Sequence, residues 1–232
     1  MESNHYWLKG SHSLQELFQG IGKPVQYKSG DRLFTQGDMT DYFYYLIDGA
    51  VKVVVNWENG SEKTVMNQEG GMLGVVTAIN RIPQFTTAIV TKPSTLIKVD
   101  VPTLIPYLSN KPEWILSFCQ EMGAKVHLLT VQLSTMTFLT VEKRICYTLL
   151  MLSRDIGSDT SQGLKIPARM TDQELANLVG TSRATISKVM SSLKKNNLVT
   201  KIKNHIYIVD KEGLRNFVFS NDSMTWNLSE GN

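Results

Sequence analysis

Cysteine and histidine are scarce in this chain. Two cysteines, Cys119 and Cys146, make neither a disulfide framework nor a CxxC metal knuckle. The four histidines, His5, His12, His127 and His205, form no HxH or HExxH pattern, and residues 13–126 contain none. A cupin-like enzyme, which needs a histidine-rich metal site, is thereby set aside. No stretch approaches the roughly 20 apolar residues of a membrane span. The start, Met1-Glu2-Ser3-Asn4-His5, lacks the basic residues and apolar segment of a secretion signal. No membrane partner and no metal are expected, and a cytoplasmic location is the default. With 42% hydrophobic and 19% charged residues among 232, the chain can bury the core of one large domain or two small ones.

The net charge of +3 hides an asymmetry. Residues 165–211 carry nine basic side chains (Lys165, Arg169, Arg183, Lys188, Lys194, Lys195, Lys201, Lys203, Lys211) against three acidic ones (Asp172, Glu174, Asp210). A basic segment in an otherwise neutral chain points to a polyanion; a solvated lysine-rich face is the alternative.

From Tyr27 to Val101, β-branched and aromatic stretches alternate with glycine turns. Strands are expected at Tyr42–Ile47, Ala50–Trp57, Lys63–Asn67, Thr86–Thr91 and Thr95–Asp100, with Asn59-Gly60 as a hairpin signal. Such spacing predicts a sandwich or jelly roll. After Pro112 the period changes. Ile115, Cys119, Met122, Val126, Leu129, Leu133 and Met136 fall at alternating steps of four and three. A helix over 112–137 spans roughly 39 Å at 1.5 Å per residue. Its stripe either buries against its own domain or, as a strict heptad repeat favours, pairs with a second copy. Both cysteines fall on apolar faces and read as core residues. A further amphipathic helix is expected over Thr140–Asp155, then a polar linker over Gly157–Gly163.

Met170–Val199 is the most informative segment. Thr171-Asp172-Gln173-Glu174 forms a capping box at the start of a short helix. Gly180 ends that helix, and Ser182 caps a second. Ile186, Val189, Met190 and Leu193 make the buried face of the second helix, leaving Arg183, Ala184, Ser187 and Lys188 outward. Long donors mixed with small residues suit a helix end in the DNA major groove. Leu198–Ile202 and Ile206–Val209, joined through Lys203-Asn204-His205, read as a wing with Lys201 and Lys203 placed for phosphate. The full set expected at the DNA is Thr171, Gln173, Thr181, Ser182, Arg183, Ala184, Thr185, Ser187, Lys188, Lys201 and Lys203.

A jelly roll, a long helix and a winged helix-turn-helix, in that order, resemble the cyclic-AMP receptor/fumarate-nitrate regulator (Crp/Fnr) family of bacterial transcription factors. The marks are Lys28-Ser29-Gly30-Asp31, Gln36-Gly37-Asp38, Tyr45-Leu46-Ile47-Asp48-Gly49-Ala50-Val51-Lys52, Asn59-Gly60-Ser61-Glu62-Lys63, Phe138–Ile145 and Glu174–Lys188. The resemblance implies an α+β chain. Residues 1–111 would be an effector-sensing roll like a cyclic-nucleotide-binding domain, 112–138 a dimerisation helix, and 139–232 a winged helix-turn-helix. It also implies a homodimer on double-stranded DNA with an inverted-repeat site, working with RNA polymerase.

Cyclic-nucleotide-binding members hold the ribose with a glutamate after Phe-x-Gly, and the cyclic phosphate with the arginine of Arg-Ser/Thr-Ala. Here the first place reads Met72-Leu73-Gly74-Val75 and the second Thr86-Thr87-Ala88. The adenine-reading pair is Leu129-Thr130. An unpaired phosphate in such a pocket is costly, so cyclic AMP is not the expected effector. Iron–sulfur members need an N-terminal cysteine cluster, but residues 1–118 have no cysteine. His127 is the one candidate haem ligand, with a surface histidine as its plain reading. What remains is a small organic effector. Asn59–Lys63 and Lys125-Val126 look most like the halorespiration regulators, which sense chlorinated phenols, and the matching lysine there lies at the effector. Their accompanying tyrosines are replaced by Met66 and Leu129. The expected effector site is therefore Met66, Met72, Leu73, Gly74, Val75, Thr86, Thr87, Lys125, Leu129 and Thr130, taking a chlorinated phenol or aromatic acid. A solvated lysine is the alternative for Lys125. A regulator that binds DNA without any effector, over a vestigial pocket, is the alternative for the chain.

Overall fold

The structure, a computed structural model, describes residues 7–167 and 170–219. Arg169 of the basic segment and His5 lie outside the described residues. The chain divides into two compact units, Met1–Leu133 and Ser134–Asn232.

The first unit runs β1 (Trp7–Leu8), α1 (His12–Ile21), β2 (Pro24–Tyr27), β3 (Arg32–Phe34), β4 (Tyr42–Asn56), β5 (Glu62–Gln68), β6 (Gly71–Leu73), α2 (Val75–Asn80), β7 (Thr87–Asp100), α3 (Val101–Asn110) and most of α4 (Pro112–Phe138). The strands form one seven-stranded sheet along β1-β5-β4-β7-β2, with β3 added to β7 and β6 to β4. Two pairs of expected strands prove continuous. Tyr42–Ile47 and Ala50–Trp57 are one strand, β4, and the pieces either side of Lys92 are one strand, β7. The ladder between them shifts register at Asp48 and Ala50. A β-bulge of this kind bends the strand without ending it. Gly49 permits the bend: it sits at φ 102°, where a Cβ would lie 2.2 Å from the Ser94 hydroxyl. The expected hairpin follows β4, closed by Trp57 N donating to Ser61 O at 2.9 Å, with Gly60 at φ 80°.

Helices α2 and α3 lie in and beside what reads as strand text. Asp100 caps α3, accepting from Thr103 N at 3.1 Å. Among the described residues of this unit, two apolar clusters form the core. One, including Leu46, Val51, Leu73, Val90 and Leu96, takes in Leu128 of α4. The other centres on Phe18, Phe43 and Tyr45, with Trp114, Phe118 and Met122 of α4 packed against it. Thus α4 is apolar on two sides. One stripe closes the roll. Shifted one residue round, Ile115, Cys119, Val126, Leu129, Leu133 and Met136 remain exposed. Met122, placed by spacing in that seam, is half-buried against the roll. The expectation of Cys119 as a core residue is overturned in the same way, because its side of α4 is the uncovered one.

The second unit holds α5 (Val141–Ile156), β8 (Ser158–Thr160), β9 (Gly163–Ile166), α6 (Asp172–Val179), α7 (Arg183–Lys195), β10 (Val199–Ile202), β11 (His205–Ile208) and α8 (Lys211–Phe219). The segment read as a polar linker is instead the β8–β9 hairpin, which extends the wing to a four-stranded sheet ordered β10-β11-β9-β8. Gly163, at φ 112°, lets β9 approach Ile208 O, where a Cβ would stand 2.4 Å away. Thr140 caps α5. Its Arg144 donates to Val179 O at 3.2 Å and Leu139 O at 3.4 Å, tying α5 to the end of α6. Cys146 is fully buried on α5, and burial pushes its thiol up to about 12.

Candidate nucleic-acid interface and ligand site

The helix pair is built from local hydrogen bonds. Thr171 Oγ1 accepts from Glu174 N at 3.1 Å, and Glu174 Oε2 accepts from Thr171 N at 2.7 Å, so the capping box is closed in both directions. Gly180 ends α6 at φ 79°, its N–H donating to Ala176 O at 2.8 Å. Two residues later Ser182 Oγ accepts from Thr185 N at 3.1 Å and starts α7. Leu175, Ala176, Leu178 and Val179 meet Ile186, Val189 and Leu193 in the buried face, with Met190 half-buried. Ser182, Arg183, Ala184, Ser187 and Lys188 are exposed, as are Thr171 and Gln173; Thr181 and Thr185 are half-buried. Gln173 Nε2 is turned along its own helix, donating to Asn177 Oδ1 at 2.7 Å.

The wing turn, Lys203-Asn204, has both residues at positive φ, 49° and 64°. This is the geometry that joins two twisted strands through two residues. Asn204 O accepts from Met170 N at 2.9 Å, which fixes the turn beside the entry to α6. A groove of about 700 Å³ results, lined by Thr171, Asp172, Gln173, Arg183, Lys201, Lys203 and Asn204. Lys203 is exposed, but Lys201 is not at liberty: its ammonium sits 2.7 Å from Asp172 Oδ1. Neither this pairing nor the role of Asn204 is readable from spacing, because both depend on how β10 and β11 fold back on α6.

In the roll, Met66, Met72, Leu73, Val75, Thr86 and Thr87 are all buried. Gly74 precedes α2 at φ 76°, with the Phe34 ring 2.9 Å from where a Cβ would stand. The Thr87 hydroxyl accepts from Gln36 N at 3.0 Å, so it holds a neighbouring loop. Lys125 is no solvated lysine: its side chain is 14% exposed and its ammonium lies 3.3 Å from Glu121 Oε1. Burial pushes its pKa down, against the Glu121 charge, which raises it. The two side chains grip one residue of β6. Lys125 Nζ donates to Met72 O, and Met72 N donates to Glu121 Oε1 at 2.5 Å. Among the described residues, the buried Glu121 Oε2 has no hydrogen-bond partner. Gly71 makes room for this, since a Cβ there would lie 2.6 Å from Glu121 Oε1. Glu121 is absent from the residues singled out by sequence, although its i, i+4 spacing to Lys125 on one helix is the signal that finds it. Leu129 and Thr130 are exposed, one and two residues beyond the fully buried Leu128.

Among the described residues no group of three or more His, Cys, Asp or Glu side chains is placed to hold a metal ion, and no helix is long and apolar enough to cross a membrane.

Two families match the chain: the Crp-like helix-turn-helix domain over residues 143–217, and the cyclic nucleotide-binding domain over residues 24–110. The global nitrogen regulator of Synechococcus elongatus is 26% identical over 216 residues, covering 89% of this chain and 97% of that protein. Among solved structures, a CooA variant from Carboxydothermus hydrogenoformans superposes with a TM-score of 0.75 at 19% identity, covering 88% of this chain and 90% of that one. A variant of CprK complexed with OCPA gives 0.73 at 20% identity, covering 90% and 96%.

Proposed function

Because this chain belongs to the Crp/Fnr family of transcriptional regulators, a family of dimeric DNA-binding proteins and not of enzymes, we propose that it reads an inverted-repeat DNA site as a homodimer and is gated by an acidic organic effector. One observation carries the DNA half: the capped α6–Gly180–α7 unit presents Arg183, Ala184, Ser187 and Lys188 outward beside a wing. In this reading α7 enters the major groove by its first turn, with Arg183 on a base, Ser187 on a base edge or methyl, and Lys188 on a base or phosphate. Thr171, Gln173, Thr181, Ser182 and Thr185 line the approach, and Lys203 meets phosphate from the wing. The exposed seam of α4 pairs two copies, so that two α7 helices reach major grooves about 34 Å apart. Residues 1–111 sense, 112–138 pair and 139–232 bind DNA. The protein acts in the cytoplasm, in concert with RNA polymerase.

The effector half rests on Lys125, a buried cation on α4 that touches the roll at Met72. An acid, such as a chlorinated phenol or aromatic acid, offers that ammonium a partner in place of Glu121. The absence of a glutamate at Val75 and an arginine at Thr86 argues against a cyclic phosphate. Displacement alters α4 beside the pairing seam and shifts the population of DNA-binding pairs. A near-complete switch needs a differential affinity of about 5.5 kcal/mol. One observation favours the other reading, binding without an effector: the Lys125 ammonium is already bonded within the chain, to Glu121 Oε1 and Met72 O.

Sequencing the DNA retained by the purified protein, with and without a panel of halogenated phenols and aromatic acids, tests both halves. An inverted repeat enriched only with an acid present is the expected result. Enrichment without any acid supports ungated binding, and no enrichment under any condition contradicts the DNA reading. Calorimetry on the same panel checks the effector directly; no heat from any member removes that class.

A further inference from the structure

The wing lysine nearest the reading helices is held by a carboxylate. Lys201 Nζ and Asp172 Oδ1 are 2.7 Å apart, with both side chains about a quarter exposed, 25% and 28%. Lys201 belongs to β10, paired opposite Ile206 of β11. Asp172 is the first residue of α6 and, with Glu174, makes the first turn of that helix acidic. The positive end of a helix is where a DNA phosphate gains most from backbone N–H groups. Here Thr171 and Glu174 have closed the capping box over those groups, and Asp172 adds a second negative charge. A phosphate at this place meets repulsion, and the cation beside it is already neutralised.

We infer that Lys201 is a positioning residue that locks the wing to α6, and that Asp172 keeps it off the DNA. The inference rests on the DNA-binding reading above and redraws its footprint. Phosphate contact passes over the start of α6 and falls on Lys203 at the wing tip and on Lys188 of α7. Asp172 thereby sets how many phosphates the protein neutralises, and so how much of its affinity is independent of sequence. Asn204 O, bonded to Met170 N, is the second tie that keeps the wing in place.

The count of neutralised phosphates is readable from salt dependence, where each contact contributes a slope of about −0.9 in log affinity against log salt. The full-length protein is titrated with a random-sequence duplex between 50 and 200 mM salt, a design that needs neither operator nor effector. Asp172→Asn frees Lys201, and the slope should steepen by about 0.9, which is an additional loss of about 3.5-fold in affinity across that range. Adding Lys201→Met to Asp172→Asn should remove the gained unit. Circular dichroism confirms that α6 is intact in both variants. An unchanged slope for Asp172→Asn, with Lys201→Met alone lowering it by about 0.9, places Lys201 on phosphate already and overturns the inference. No binding by the unaltered protein overturns the DNA reading itself, a result distinct from an unchanged slope.

Discussion

Arg183 stands exposed in the first turn of α7, where a long planar donor can reach the edge of a guanine. Arg183→Ala should cost about 1–3 kcal/mol of specific affinity and relax preference at one position of each half-site, measured by binding to a panel of single-base operator variants. Unchanged affinity with unchanged preference contradicts the assignment. A second expectation concerns Cys146. The Cys146 thiol, pushed up to about 12, stays protonated at pH 9, and only the thiolate reacts. Alkylation of the native protein at pH 9 should leave Cys146 unmodified until denaturant is added, as mass spectrometry would read; labelling at the rate of a free thiol contradicts its burial. These individual fates were unevenly legible. Arg183 is outward because its neighbours Ile186 and Val189 set the helical period. Cys119, read as a core residue, is exposed, and Lys125, read at the effector site with a solvated lysine as the alternative, is buried. Which side of α4 the roll covers depends on residues far away in sequence.

At the level of helices and strands, the reading unit is where local chemistry decided most. A capping box, a glycine at positive φ and a serine cap are short-range devices, so the bounds of α6 and α7 follow from the residues themselves. Gly180→Ala forces a Cβ onto φ 79° and should lower the stability of the second unit by about 1 kcal/mol or more. Thr171→Ala opens the capping box and should cost about 1 kcal/mol. Thermal melts of both variants check these values, and a melt unchanged in either contradicts the role given to that residue. The roll was less legible. Asp48-Gly49 reads as a turn, but the strand continues through Gly49, because β7 pairs with β4 on both sides of it. The hairpin β8–β9 is short, and β8, Ser158-Asp159-Thr160, is wholly polar; β9 is joined to the wing by β11, forty residues on.

For the assembled protein, the seam on α4 carries the account. Ile115, Cys119, Val126, Leu129, Leu133 and Met136 repeat along one exposed stripe, an area of apolar surface that a solvated helix does not ordinarily keep. In the proposed pairing along it, an effector beside Lys125 of one copy would be felt by the other through Leu129 and Thr130. Leu133→Glu sets two like charges face to face in a low-dielectric seam. It should separate the copies while leaving each roll folded, since Leu133 is 66% exposed in the single chain. Sedimentation of the protein on a duplex carrying its selected site is the most direct test. Two 26.1 kDa chains per duplex are expected, falling to weakly held single chains with Leu133→Glu. One unaltered chain per duplex, bound as tightly as the site allows, would contradict it.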